Sequence, residues 1–180
     1  MLAAFFPDPA RPAAPTFAGL TYNADGAEVS AAFSEFSYRS QATNRTVTLY
    51  SSVASWDEAA AACSARGASL FVPTATEGLQ ELAQAATAAR NMSGRLELQF
   101  IWIGVERLAG SDTFVAVQTG AQRRQAVPRS LLRWEPAAPA GKASDRVCVL
   151  LRSWSTLRHS VWMHDYPCGE RAPYACARRT

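Results

Sequence analysis

Apolar and polar positions alternate along this chain with two periods. Thr16 to Tyr22 reads as a strand, Asn23-Ala24-Asp25-Gly26 is turn chemistry, and Val29, Ala31 and Phe33 then alternate with polar residues, which predicts a β-hairpin. Thr46 to Tyr50 is β-branched and aromatic, a further strand. Ser55-Trp56-Asp57-Glu58 opens a helix with a capping box, and Gly67 stops it. Trp56, Ala59, Ala60 and Cys63 share one helical face, so Cys63 points inward. Leu70-Phe71-Val72 is a short apolar strand ended by Pro73.

Thr74 with Glu77 reads as a second capping box, opening a helix from about Ala75 to Ala89 that buries Leu79, Leu82 and Ala86. Asn91-Met92-Ser93-Gly94 reads as a loop. Phe100-Ile101-Trp102-Ile103-Gly104 is too short for a helix of that apolarity and reads as a buried strand. From Glu106 to Arg133 the pattern breaks, with a strand candidate at Phe114 to Val117 and a polar, basic stretch from Gln122 to Pro128. A long irregular stretch of this kind usually carries function. Strands resume at Val147 to Leu151, at Val161-Trp162-Met163 and at Tyr174-Ala175-Cys176. Two helices are thus interleaved with these strands.

Length changes the picture little: 180 residues with 48% apolar content make one domain with an extension. Four prolines between Pro7 and Pro15 mark an extended arm. The division is therefore 1–43, arm and hairpin, and 44–180, the folded domain. A net charge of +3 without a dense Lys/Arg block gives no ground for a nucleic-acid partner. No apolar run reaches the ~18 residues of a membrane span. Met1 to Phe6 lacks a basic n-region, so an extracellular reading makes this an ectodomain whose signal or anchor lies elsewhere.

The four cysteines contain no Cys-x-x-Cys pair, against a zinc ribbon or a thioredoxin-like site. Two disulfides formed in an oxidising compartment fit them better. Two glycosylation sequons agree, at Asn44 and Asn91.

The ordered set resembles a C-type lectin-like domain over roughly 46–178: strand, helix with Cys63, second helix, Trp102-Ile103-Gly104-Val105, long loop, Trp134 with Pro139, Cys148, Trp162 with Asp165, Cys168 and Cys176. The resemblance implies an α+β fold of two helices flanking small antiparallel sheets, with a long irregular loop and two disulfides. Of the three pairings that four cysteines allow, it implies Cys63–Cys176 and Cys148–Cys168. Lacking cysteines in its predicted hairpin, the chain resembles the family's short form.

Sugar-binding members coordinate calcium with a Glu-Pro-Asn or Gln-Pro-Asp triplet and an Asn-Asp pair, because Ca²⁺ takes six to eight oxygens. Here the triplet reads Ala138-Pro139-Ala140, or Glu135-Pro136-Ala137 if the match slides, and His164 takes the Asn place before Asp165. The residual acids are Glu135, Asp145 and Asp165, and Arg146 adds an expected repelling charge. No metal and no cofactor is expected, calcium included.

Arg123, Arg124, Arg129 and Arg133 on the long loop, with Arg152, Trp154 and Arg158 nearby, are the candidate ligand-binding residues. Arginine suits bidentate pairing with carboxylate or sulfate, and tryptophan suits a protein anchor. His159 and His164 fall on opposite faces of a strand-like stretch, against a shared metal. No catalytic motif or assembled acid–base pair is present, so an enzyme is not expected. The reading is an extracellular or cell-surface recognition module that binds a protein without calcium, in an adhesion or receptor role. The alternatives are a lectin for acidic or other glycans through a modified loop, and a structural module of a larger surface protein.

Overall fold

The computed structural model describes residues 34–94, 96–118, 123–140, 145–153 and 161–179. The expected Pro-rich arm and hairpin lie outside them, as do Lys142, Trp154, Arg158 and His159. In chain order the elements are β1 (Glu35–Ser40), β2 (Arg45–Ala54), α1 (Trp56–Ala65), β3 (Ser69–Leu70), α2 (Thr76–Ser93), β4 (Phe100–Arg107), β5 (Phe114–Gln118), β6 (Arg123–Ala126), β7 (Val147–Ser153), β8 (Val161–Pro167) and β9 (Ala172–Arg179).

Ladders join these strands in the order β1-β2-β9-β4-β5-β6, with β3 on β9 and the β7–β8 hairpin on β4. Between the named strands the pairing is antiparallel except for one parallel step, Trp102 beside Tyr174, and an isolated parallel bridge joins Trp134 to Met163. The sheet begins before the expected strand at Thr46: β1 pairs with β2 from Glu35↔Tyr50 to Ser40↔Arg45. Its turn is held by Glu81 of α2, which accepts from Ser40 Oγ at 2.5 Å and from the amides of Gln41 and Ala42 at 3.1 Å.

Alternation along β9 assigns the two faces. Ala175 and Ala177 join the cluster built with Leu79, Leu82 and Ala86 of α2, while Tyr174 and Cys176 join Trp56, Ala59 and Cys63 of α1. The helices therefore cover opposite faces. The α1 capping box forms as expected, with Ser55 Oγ accepting from Glu58 N at 3.3 Å and Glu58 Oε2 from Ser55 N at 2.9 Å. The α1 end also matches, Gly67 taking the left-handed conformation at φ 66°.

The second helix differs from expectation at both ends. Its N-cap is Ala75, with no side-chain cap hydrogen bond, so Thr74 and Glu77 form no capping box. Phe71 N donates to Ala175 O at 2.8 Å and the helix begins only at Thr76, after an extended Ala75, which leaves Thr74 before the cap. At the other end Asn91 belongs to the last turn and not to a loop, because the alanine-rich helix runs on until Gly94 caps it at φ 66°.

Gly104 explains the Trp-Ile-Gly-Val stretch. A Cβ there would meet Val72 Cγ2 at 2.9 Å and the Leu70 carbonyl oxygen at 3.0 Å. The strand needs a glycine where β3 and its continuation cross it, and Gly104 N donates to Phe71 O at 2.7 Å. The disulfides are Cys63–Cys176, from α1 to β9, and Cys148–Cys168, from β7 to the turn after β8.

Candidate functional site

Residues 129–140 are fastened along β8. A 3-10 turn, Arg129–Leu131, leads to Trp134, whose ring lies 4.7 Å from that of Phe114. Met163 N donates to Arg133 O at 2.7 Å, and Glu135 N donates to Met163 O at 3.0 Å. Ala138 N closes a turn onto Glu135 O at 2.8 Å, Ala137 has φ 72°, and the Ala138–Pro139 peptide is cis. Ala140 N then donates to Asp165 Oδ1 at 2.8 Å, and Asp165 is buried.

Glu135 pairs with Arg152 through Oε1, and His164 Nε2 lies 3.7 Å from its other oxygen. The Arg152 guanidinium lies 5.1 Å from the Phe100 ring centroid. For a cation that requires six to eight oxygens this donor set does not fit: Ala138 and Ala140 have no side-chain oxygen to give, and Glu135 already answers a guanidinium. Among the described residues no group of three or more His, Cys, Asp or Glu side chains could hold a metal ion. Asp145 is exposed.

A second charged group underlies the neighbouring β5–β6 hairpin. Glu106, buried on β4, accepts from Arg146 Nε at 2.8 Å and lies 3.5 Å from Arg124 Nε. Arg146 also grips Asp57 through two 2.8 Å hydrogen bonds and covers the Trp56 ring at 5.3 Å. Its expected role as a repelling charge is thus corrected: Arg146 is the counter-ion of two carboxylates. These hydrogen bonds hold Asp57 below the usual carboxylate range, burial opposing them, and they raise the Arg146 pKa.

The sequence pattern of the family described as Lectin C-type domain matches residues 52–178. The chain belongs to the C-type lectin domain family. No curated protein matches it in sequence. Solved structures share the fold. Human lithostathine matches at 17% identity, covering 89% of this chain and 99% of that one, with a TM-score of 0.59. CEL-I from Cucumaria echinata matches at 13% identity over 74% and 89%, TM-score 0.54. The C-type lectin domain of murine dendritic cell inhibitory receptor 2, in complex with an N-glycan, matches at 19% identity over 76% and 91%, TM-score 0.52.

C-type lectin domains act in carbohydrate or protein recognition and not in catalysis, and they are typically extracellular or cell-surface. Two disulfides fit that setting. No helix among the described residues is long and apolar enough to cross a membrane.

The structure disperses the loop arginines of this C-type lectin domain. Part of the stretch read as irregular is the antiparallel β5–β6 ladder, Val115↔Ala126 to Gln118↔Arg123. Arg124 is exposed but faces Glu106, Arg129 is exposed, and exposed Arg133 lies 5.8 Å from the Trp162 ring centroid. Arg152 is half-buried on Glu135, and the Arg123 side chain is outside the described set. Asn44 and Asn91 are both exposed. The sequence reading missed Trp162, His164 and Tyr166 as one row. Alternation could have found it, because Val161, Met163 and Asp165 are the residues of β8 that turn inward.

Proposed function

We propose that this C-type lectin domain recognises a protein ligand without calcium, at a surface formed by residues 129–140 and the outer face of β8. The observation that carries the reading is the pairing of Glu135 with Arg152. Calcium-dependent sugar binding needs free carboxylates and amides that serve the ion and the sugar together. Here one acid of the loop serves an internal cation and Asp165 serves the Ala140 amide. The surface beside them offers aromatic rings and guanidinium groups, the side chains that anchor protein interfaces.

Calorimetric titration of Ca²⁺ into chelator-stripped protein, with thermal melting in parallel, tests the first half of the reading. No binding heat and no shift in Tm are expected, since a ligand that binds the folded state must raise it. A calcium-dependent rise in Tm would overturn the calcium-independent reading. Binding to neutral glycans on an array in the presence of chelator would overturn the protein reading.

A further inference from the structure

One sheet face emerges from the core at the β8 rim with an unusual composition. Register pairs Phe100 with Arg152 and Arg152 with Trp162, so the three form a row across β4, β7 and β8. Two residues along, the same face carries Trp102 and Leu150, buried in the cluster under α1. Phe100, Arg152 and Trp162 are only half-buried. On β8 this face continues through His164 to Tyr166, whose rings meet edge-on at 5.4 Å, and Tyr166 is 41% exposed.

The two arginines of the surface differ in whether a carboxylate already answers their charge. Arg152, over Phe100, is neutralised by Glu135. Arg133, over Trp162, is exposed and forms no ion pair among the described residues. An indole face steadies a guanidinium without neutralising it, so Arg133 is braced to receive a carboxylate.

Size limits the occupant. From Trp162 to Tyr166 is about 13 Å along the strand, and from Phe100 to Trp162 about 9.5 Å across two strand spacings. That footprint matches an extended segment of four or five residues and falls well below the ~800 Å² per partner of a standard interface. We propose that this surface docks an extended segment of a partner protein in which a carboxylate lies between apolar side chains. The carboxylate pairs with Arg133, and the apolar groups lie on Phe100 and on the His164–Tyr166 edge. The proposal rests on the protein-recognition reading above and assigns it a ligand chemistry.

The test uses the full chain and fluorescein-labelled synthetic decapeptides alternating Glu with Leu and Phe. A Lys-for-Glu set, a Ser-for-Leu/Phe set and a heparin hexasaccharide complete the panel, read by fluorescence anisotropy with calcium and with chelator. The acidic apolar set should bind at roughly 10 to 100 μM and the others at least about tenfold more weakly. Arg133→Glu should weaken binding about tenfold or more and Tyr166→Ser about three- to tenfold, both being exposed positions. Arg39→Glu, at an exposed arginine on β1, should change nothing.

The proposal is overturned if no acidic apolar peptide binds, if only heparin binds, or if Arg39→Glu and Arg133→Glu lower affinity equally. Calcium-indifferent peptide binding that ignores Arg133→Glu and Tyr166→Ser overturns this surface and leaves the calcium-independent reading standing. Binding that needs calcium but fails in both variants does the reverse.

Discussion

Arg146 Nε lies 2.8 Å from Glu106 Oε2, and the residue it reaches is 1% exposed. A buried carboxylate is costly unless its charge and lone pairs are answered. Arg124 answers from the other side at a looser 3.5 Å and is itself exposed. Arg146→Met should therefore destabilise the domain by about 2 to 3 kcal/mol, less than for a fully buried pair because Arg146 is partly exposed. Urea unfolding checks the value. Adding Glu106→Gln should recover part of the loss, because the orphaned charge goes with it.

The same arginine sets an acid limit through Asp57. Its hydrogen bonds hold the Asp57 carboxyl below the ordinary value, against the opposing effect of burial. The folded pKa lies below the unfolded one, so the contribution is whole above the unfolded value, about pH 4, and is lost as pH falls through the depressed folded value. Asp57→Asn should flatten the fall of Tm with acid below about pH 4 and lower Tm by a constant amount near neutrality. Melting curves from pH 2 to 7 for both proteins decide it.

Gly104→Ala should cost about 2 to 3 kcal/mol by overpacking. The added methyl would meet Val72 Cγ2, which Val72→Ala can remove, and the Leu70 carbonyl oxygen, which no side-chain change removes. Rescue by Val72→Ala in the double variant should thus be partial in denaturant unfolding. Full rescue would show that the backbone is free to give way there.

The disulfides should be unequal. Cys63–Cys176 spans 113 residues and Cys148–Cys168 spans 20. Loop-closure entropy assigns them about 5 and about 3 kcal/mol. Paired Cys→Ala variants unfolded in guanidinium under oxidising conditions should show the longer bridge as the larger loss.

What could be read from sequence was what depends on neighbours. The Ser55–Glu58 box joins residues three positions apart, Cys63 shares a helical face with Trp56 and Ala59, and the apolar run through Trp102 admits little but a buried strand. The second capping box failed because tertiary strand pairing at Phe71 delayed the helix start. The β6 strand was not legible because Arg123-Arg124-Gln125-Ala126 has no apolar alternation and is held by the ladder to β5. The ion pairs were hidden for a related reason. Arg146 finds Glu106 across 40 positions and Asp57 across 89, and only the assembled sheet brings them together. The loop's loss of oxygen donors was plain in Ala138-Pro139-Ala140, whereas the pairing of Glu135 with Arg152 was not.

The order β1-β2-β9 carries a mechanical consequence. Strands β1 and β9 both run antiparallel to β2, so they run parallel to each other with β2 between them. Glu35 stands at the row of Tyr50 and Tyr174, and Arg179 at the row of Arg45 and Ser40, the far end of the same strands. Tension drawn outward through Glu35 and Arg179 would load both ladders along their length. Their hydrogen bonds lie across that direction and would share the force instead of opening one after another. A domain tethered through those two ends would hold its binding face in register under pull, and Cys63–Cys176 would keep β9 tied to α1 if the ladders gave way.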